Sequence, residues 1–177
     1  YTDAARENSS HDFGRDILTH AHERVKVAAY DFMTQLCPGE SEHARGYWRD
    51  VGTIDSFFEA NMDLVSVHPR LNLYNDKWPI RGVHSGGGPC KFVFADEADH
   101  RVGSAVDSIV GSSTIISGGH VEGSVVFNNV RVNSFSSVHD CILFPGVDVG
   151  RKARLTRCIV DKGVKVPAGT VIGEDPE

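Results

Sequence analysis

The sequence lacks several features that would assign a protein class at once. No apolar run approaches the roughly 18 residues of a membrane-spanning helix, and no signal peptide opens the chain. The four cysteines form no CxxC pair, so we interpret them as reduced thiols of a cytoplasmic protein. A net charge of -6 argues against nucleic acid as a partner, because phosphate binding needs a basic face. A starting methionine is also missing, which suggests a piece of a longer protein.

Aliphatic residues recur with a fixed period in the C-terminal half. Within each group of three the step is six residues and the next group begins five residues later, so every position i recurs at i+17. The positions are Ile109, Ile115 and Val121; Val126, Val132 and Val138; Leu143, Val149 and Leu155; and Val160, Val166 and Ile172. Six residues at about 3.3 Å each cover one short side and a corner, so three steps make a triangular coil around an aliphatic core. About four coils fit between residues 107 and 173.

Small residues precede these positions by two. They are Gly119, Ser136, Ala153 and Thr170 at one corner, and Ser124, Cys141 and Cys158 at another. Small side chains fit a tight interior corner, so we expect the two cysteines to be vertical neighbours that fill space, not a metal or redox pair. An antiparallel meander has no reason to keep such a fixed period, and parallel coils are therefore favoured.

The N-terminal half is predicted to mix helices and strands. We expect a helix over residues 11–23 with Asp12 as its cap, strands over residues 24–32 and 47–51, and a second helix capped by Thr53. The apolar stripe of the second helix is Ile54, Phe57, Phe58 and Met62. Residues 91–94 are predicted to be extended and to lead towards the coils.

Two short motifs contain candidate catalytic and binding residues. One is SHDFGRD at residues 10–16, and the other is YWRDVGT at residues 47–53. Asp50, predicted at the end of a strand and before a glycine turn, is well placed to hold a divalent cation against phosphates. Trp48 could stack on a sugar face. For an aspartate in this position, a turn or cap role is the alternative interpretation.

The segment from residue 47 to 64 resembles the strand–turn–helix of bacterial ADP-glucose pyrophosphorylases, and SHDFGRD resembles their sugar-phosphate loop. LYNDKWPI at 73–80, RVNSF at 131–135 and CIVDKG at 158–163 match the same family, in order. The resemblance implies an α/β remnant of a nucleotidyltransferase (Rossmann-like) domain over residues 1–90. An all-β left-handed parallel β-helix of hexapeptide repeats, with about four coils, would follow over residues 91–177.

The same resemblance implies a glucose-1-phosphate adenylyltransferase, which makes ADP-glucose and pyrophosphate from ATP and glucose 1-phosphate in glycogen or starch synthesis, with Mg²⁺ as cofactor. Asp50 would be a catalytic residue and a metal ligand. Asp12, Phe13 and Trp48 would bind the substrate. Lys162 would bind anionic effectors, although a solvated corner lysine explains it equally well. Family members are allosteric homotetramers of the cytoplasm, without nucleic-acid or membrane partners.

Parts of the family pattern would lie outside this sequence. The Gly-rich nucleotide loop, the first metal-binding aspartate and a Glu–Lys pair would precede residue 1, and a basic tail would follow residue 177. We therefore expect a C-terminal portion that is inactive alone.

Two other functions fit parts of the pattern. A hexapeptide acyltransferase would use a catalytic histidine at a subunit interface, for which His120 and His139 are candidates, but it leaves YWRDVGT without a role. A non-catalytic oligomerisation or regulatory module would use the flat faces and open strand edges of the coils. Binding of acetyl-coenzyme A would favour the first, and self-association in solution would favour the second.

Overall fold

The computed structural model describes residues 1–82, 87–93 and 95–174. The chain divides into two compact units, Tyr1–Gln35 and Leu36–Glu177, which are described separately below. The predicted domain division after residue 90 stays a prediction. No described helix has the length and apolar character needed to cross a membrane.

The first unit contains short helical turns and no strand among its residues, all of which are described. A π-helix over Phe13–Leu18 continues into the short α-helix α1, Thr19–Ala21, and a 3-10 helix covers Phe32–Thr34. The predicted helix is confirmed in part and is shorter than 11–23. The predicted strand over 24–32 is wrong, because a strand needs a hydrogen-bonded neighbour and no segment of the unit pairs with it.

The second unit begins with a 3-10 helix, Glu42–Ala44, and the α-helix α2, Ile54–Val65. Thr53 caps α2 as predicted, in a capping box in which its side chain and that of Ser56 each accept from the other's backbone N–H. Three members of the predicted stripe are half-buried, but Ile54 is 78% exposed, because it is the first helical residue and borders an open cavity. The predicted strand over 47–51 is also wrong, since no described segment pairs with these residues.

Fourteen short strands follow α2 among the described residues of the second unit. They are β1 Lys91–Val93, β2 Ser104–Val106, β3 Ile109–Val110, β4 Ile115–Ser117, β5 His120–Glu122, β6 Val125–Val126, β7 Arg131–Val132, β8 Ser137–His139, β9 Ile142–Leu143, β10 Asp148–Val149, β11 Arg154–Thr156, β12 Ile159–Val160, β13 Lys165–Val166 and β14 Val171–Ile172. Strand β1 confirms the predicted extended segment, whose last residue, Phe94, lies outside the described residues.

These strands stack into three parallel sheets, ordered β1-β4-β7-β10-β13, β2-β5-β8-β11-β14 and β3-β6-β9-β12. Successive strands along the chain therefore lie in different sheets, and each strand pairs with the one three places later. This is the topology of a parallel β-solenoid of about four coils, and it confirms the predicted fold class.

Strands β2, β3 and β4 pair with β5, β6 and β7 at a spacing of i to i+16, and the later strands pair at i to i+17. Strand β1 pairs with β4 at i to i+24. Val121 pairs with Val138 in the longer register, whereas Val110 pairs with Val126 and Ile116 with Val132 in the shorter one. Two predicted core positions, Ile109 and Ile115, are therefore wrong by one residue. Because side chains alternate between the faces of a strand, a shift of one residue exchanges the inner and outer positions.

The short step lies at the corner between β4 and β5. Gly118 and Gly119 form that corner alone, whereas four residues separate β7 from β8. Gly118 has a φ of +71°, and a Cβ on Gly119 would lie 2.8 Å from the Asn133 carbonyl oxygen. The two glycines therefore allow a corner tighter than the later ones.

The solenoid interior is aliphatic and fully enclosed in its middle coils. Its central members are completely buried: Val121, Val132, Val138, Leu143, Val149 and Leu155. Ile172 is 38% exposed because its strand lies at the end of a sheet. The predicted corner column is confirmed, since the sulfur atoms of Cys141 and Cys158 lie 3.6 Å apart and the Cys141 N–H donates to the Ser124 hydroxyl at 3.0 Å. That contact with Cys158, together with burial, raises the pKa of the Cys141 thiol.

Candidate functional site

The candidate sugar-phosphate loop occupies the first unit. The carboxylate of Asp12 accepts a hydrogen bond of 2.7 Å from the Arg15 N–H and so starts the π-helix. Asp16 accepts from the Asp12 N–H at 3.0 Å and from the Ser10 hydroxyl at 2.5 Å, and the Ser10 bond lowers the pKa of Asp16. Phe13 is 66% exposed. The loop is thus tied by short-range polar bonds and presents an aromatic ring to solvent.

Asp50 and Trp48 lie in the second unit, in the segment that leads into α2. The Gly52 N–H donates to Asp50 Oδ1 at 3.0 Å, so the carboxylate closes a tight turn just before the helix. Arg49, between them, forms an ion pair with Asp63 of α2, which raises the pKa of the guanidinium. This pair ties the segment to α2. Trp48 itself is 73% exposed.

Lys162 lies on an exposed turn of the solenoid, directly after β12. Its backbone N–H donates to the Asp161 carboxylate at 2.7 Å, and the next residue, Gly163, has a φ of +69°. The turn therefore carries one positive and one negative side chain. This arrangement is compatible with either of the two interpretations given for this lysine.

An aromatic stack joins α2 to the solenoid. The Phe57 ring of α2 stacks on Phe144 with centroids 6.0 Å apart, and Phe144 stacks on Phe127 at 5.1 Å. Phe127 and Phe144 are separated by one period of the coils, and so that period could have predicted this ladder. Because α2 begins four residues after Asp50, the stack fixes the candidate metal-binding segment relative to the coils.

A cavity of about 450 Å³ opens beside this junction. Its walls are Ile54, Asp55 and Phe58 from the helix, and Arg157 and Ile159 from the solenoid. It offers one carboxylate and one guanidinium beside apolar surface. Sequence reasoning did not select Asp55 or Arg157, since only the packing of α2 on the solenoid brings them to one cavity.

The LYNDKWPI segment is held by a buried amide. Asn75 is 7% exposed, and its Nδ2 donates to the Pro38 carbonyl and to Glu40 Oε1, both at 2.9 Å. Its Oδ1 accepts from the Lys77 N–H at 3.1 Å. A Cβ at residue 39 would lie 2.3 Å from Asn75 Oδ1, which is why glycine stands there. Asn75 thus closes a loop, and its amide is used for structure and not for binding a substrate.

The two histidines of the acyltransferase alternative lie together on the outside of the solenoid. His120 of β5 and His139 of β8 have ring centroids 5.7 Å apart. Glu122 lies between them, and sequence reasoning missed it because it belongs to no motif. Glu122 pairs with His139 in the stacking register and follows His120 by two, so the period of the coils could have indicated that these side chains meet.

Two family models match the chain. The model described as nucleotidyl transferase matches residues 1–67, and the model described as GlmU-like, C-terminal hexapeptide matches residues 88–177. The first therefore covers both candidate substrate segments, and the second covers all fourteen strands of the solenoid.

Curated relatives match along nearly the whole chain. The glucose-1-phosphate adenylyltransferase of Anaeromyxobacter sp. (strain Fw109-5) is 48% identical over 99% of this chain and 43% of its own length. The enzyme of that name from Rhodospirillum rubrum is 50% identical over 99% and 41%, and that from Arthrobacter sp. (strain FB24) is 49% identical over 100% and 38%. The chain thus spans about two fifths of these relatives. Because the hexapeptide model matches residues 88–177, just over half of the sequence, the chain belongs to the GlmU-like, C-terminal hexapeptide family.

Proposed function

We propose that this chain is the C-terminal part of a glucose-1-phosphate adenylyltransferase, which forms ADP-glucose and pyrophosphate from ATP and glucose 1-phosphate for glycogen or starch synthesis. The observation that carries the proposal is the 47–50% identity to enzymes of that name along both units. A hexapeptide acyltransferase would share only the coils. The nucleotidyl transferase match over residues 1–67 therefore favours the adenylyltransferase.

In this proposal Asp50 is a metal-binding carboxylate. Carboxylate oxygens are the ligands that Mg²⁺ prefers, and Asp50 is exposed in a turn whose geometry is set by the Gly52 N–H. When bound, Mg²⁺ would neutralise charge on the ATP phosphates. The protein's own contribution is to hold the carboxylate still, and the ion pair from Arg49 to Asp63 and the capping box of α2 do this.

The sugar phosphate is the nucleophile in this reaction. Its phosphate oxygen attacks the α-phosphorus of ATP in line, and pyrophosphate leaves. Asp12, Phe13 and Trp48 would bind glucose 1-phosphate. The two exposed aromatic rings offer flat apolar surface for a sugar face, and the Asp12 carboxylate, already held by the Arg15 N–H, can accept from a sugar hydroxyl.

Regulation and assembly follow the same family pattern in this proposal. Lys162, exposed on the turn after β12, would contribute positive charge to a site for anionic effectors. The sheet ends β13 and β14 carry strand edges that can pack on a neighbour, as a homotetramer requires. All four cysteines are free, which agrees with a reducing compartment such as the cytoplasm.

A chimera tests the proposal. This chain replaces the matching C-terminal segment of the Rhodospirillum rubrum enzyme, and ADP-glucose formation is measured with ATP, glucose 1-phosphate and Mg²⁺. We expect synthesis. In the chimera, Asp50→Asn should lower kcat by about 100-fold or more, because the lost carboxylate stabilises charge in the transition state.

Asp99→Asn is the matched control. Asp99 is an exposed aspartate on a turn before β2 with no assigned role, so this variant should keep the activity of the parent chimera. A folded, tetrameric chimera that makes no ADP-glucose would contradict the proposal. An Asp50→Asn chimera with full activity would contradict the assignment of Asp50 alone.

A further inference from the structure

Three potential metal ligands project from the outer face of two stacked strands. In β5 and β8, Val121 and Val138 point into the core and are fully buried. Because side chains alternate along a strand, His120, Glu122 and His139 point outwards. Each is 40–51% exposed at the side chain, so the group faces solvent from a rigid support.

The ligand atoms are already close to the spacing that a metal ion demands. Glu122 Oε2 lies 3.4 Å from His120 Nε2 and 3.3 Å from His139 Nδ1, and all three atoms lie within 4.8 Å of one another. Ligands at about 2.0–2.1 Å around a tetrahedral ion are separated by about 3.3 Å. Two of the three separations therefore fit without movement. Among the described residues, this is the one group of three such side chains that meets within this limit.

A hydroxyl orients one of the imidazoles. Ser104 Oγ of β2 lies 2.8 Å from His120 Nδ1, which is the ring nitrogen on the side away from Glu122. A hydrogen bond at one imidazole nitrogen fixes the ring and leaves the other nitrogen for a metal. Ser104 pairs with His120 in the register of β2 and β5, so the solenoid backbone itself sets this contact.

The arginine in the same outer column of strands is engaged by a carboxylate. Arg154 of β11 follows Ser137 in the same outer column, but its guanidinium is engaged by the Glu174 carboxylate at 2.9 Å. The three ligands themselves carry one negative charge when both imidazoles are neutral. A divalent cation is therefore attracted to the group, and no cation from the protein already neutralises Glu122 among the ion pairs of the described residues.

We propose that His120, Glu122 and His139 form a binding site for a divalent transition metal ion of the Zn²⁺ type. Two imidazoles and one carboxylate suit Zn²⁺, whereas Mg²⁺ prefers an all-oxygen shell. Three protein ligands leave a further position for water, as the exposure of the group allows. The site lies in the solenoid and is separate from the Mg²⁺ role proposed for Asp50.

The ion would join two coils. His120 and Glu122 belong to one coil and His139 to the next, so bound metal fixes the register of β5 against β8. A ligand that binds the folded state and not the unfolded state raises the free energy of unfolding. Zn²⁺ should therefore raise the Tm of the chain, and this effect should require the three ligands.

Zn²⁺ titration of the complete, metal-free chain tests the site. Isothermal calorimetry under reducing conditions should show one tight site, and excess Mg²⁺ should not displace the ion. His120→Gln and His139→Gln should each weaken Zn²⁺ binding by about 10-fold or more and remove the Zn²⁺-dependent rise in Tm. Ser104→Ala should weaken binding by about 10-fold through the orientation of His120.

His68→Gln is the matched control, because His68 is exposed and outside the group, and it should leave the affinity for Zn²⁺ unchanged. A second measurement covers variants that fail to fold: Co²⁺ bound to the unmodified chain should give the absorption bands of a nitrogen and oxygen shell. A thiolate-to-cobalt charge-transfer band would overturn the proposal by assigning the ion to cysteine. Unchanged Zn²⁺ affinity in the folded double variant, with both histidines replaced by glutamine, would overturn it as well.

Discussion

The solenoid and the segment that precedes it in the second unit are held together by different interactions. In the solenoid, each coil pairs its backbone with the next, and completely buried aliphatic side chains line the axis. Between residues 36 and 82 the structure depends on single side chains, such as Asn75, Thr53 and Arg49, that bond to particular backbone or side-chain groups. The stability of the solenoid is therefore spread over many buried side chains, whereas that of the preceding segment depends on a few polar bonds.

The contrast extends to where aromatic surface lies. The middle coils enclose the aliphatic residues along their axis, while Trp48, Tyr74 and Trp78 of the preceding segment are 73%, 83% and 59% exposed. Two of these belong to LYNDKWPI and one to YWRDVGT, the motifs that carried the family resemblance. Exposed aromatic rings contribute little to stability, and the exposure of Trp48 agrees with the binding role proposed for it above.

The largest effect should come from a charge placed in the solenoid core. Ile116→Asp buries a carboxylate at a fully enclosed position, which should cost about 3–5 kcal/mol in the free energy of unfolding. The neighbouring Ile115→Asp is the control, because its side chain points outwards and should cost much less. Urea denaturation followed by circular dichroism measures both. Equal losses would contradict the register of β4 against β7, in which Ile116 and not Ile115 pairs with Val132.

A smaller loss should follow removal of the buried amide in the preceding segment. Asn75→Ala leaves the Pro38 carbonyl and the Lys77 N–H without their partner, which should cost about 1–3 kcal/mol. Asn72→Ala, at a half-buried site where the side chain accepts from the Tyr74 N–H, should cost less. Thermal unfolding of the two variants compares them. An Asn75→Ala protein as stable as the parent would show that the segment is held elsewhere.

The smallest effect is expected at the start of α2. Thr53→Ala removes the capping box, which should cost about 1 kcal/mol. Thr53→Ser keeps the hydroxyl and should restore most of the stability. Denaturant midpoints distinguish the two, and hydrogen exchange should show the loss concentrated in the first turn of α2. A uniform loss across the coils would instead mean that the helix and solenoid unfold as one.

The solenoid could be predicted from sequence because its period is repeated along the chain. Each repeat is an independent observation of the same geometry, so Val126, Leu143 and Val160 support one another. The error at Ile109 and Ile115 came from extending that period across a corner that is one residue shorter. Two adjacent glycines at 118 and 119 were the available signal, because only glycine permits such close approach to Asn133.

The candidate site was only partly predictable. The cap at Thr53 depends on neighbouring residues and was predicted correctly. The strand containing Asp50 was wrong, because strand formation depends on a partner that residues 47–51 do not reveal. Glu122 was missed for a similar reason: its meeting with His120 and His139 depends on the stacking of two coils, not on any local motif.

The Gly118–Gly119 corner also bears on how this architecture can change its length. A corner can gain or lose residues without displacing the strands on either side, since each strand is aligned by its pairing with the coils above and below. The corner between β4 and β5 is one residue shorter than that between β7 and β8, yet β4 still pairs with β7 and β5 with β8. Insertions at bends are therefore the least disruptive means of varying the surface of such a column while its interior stays unchanged.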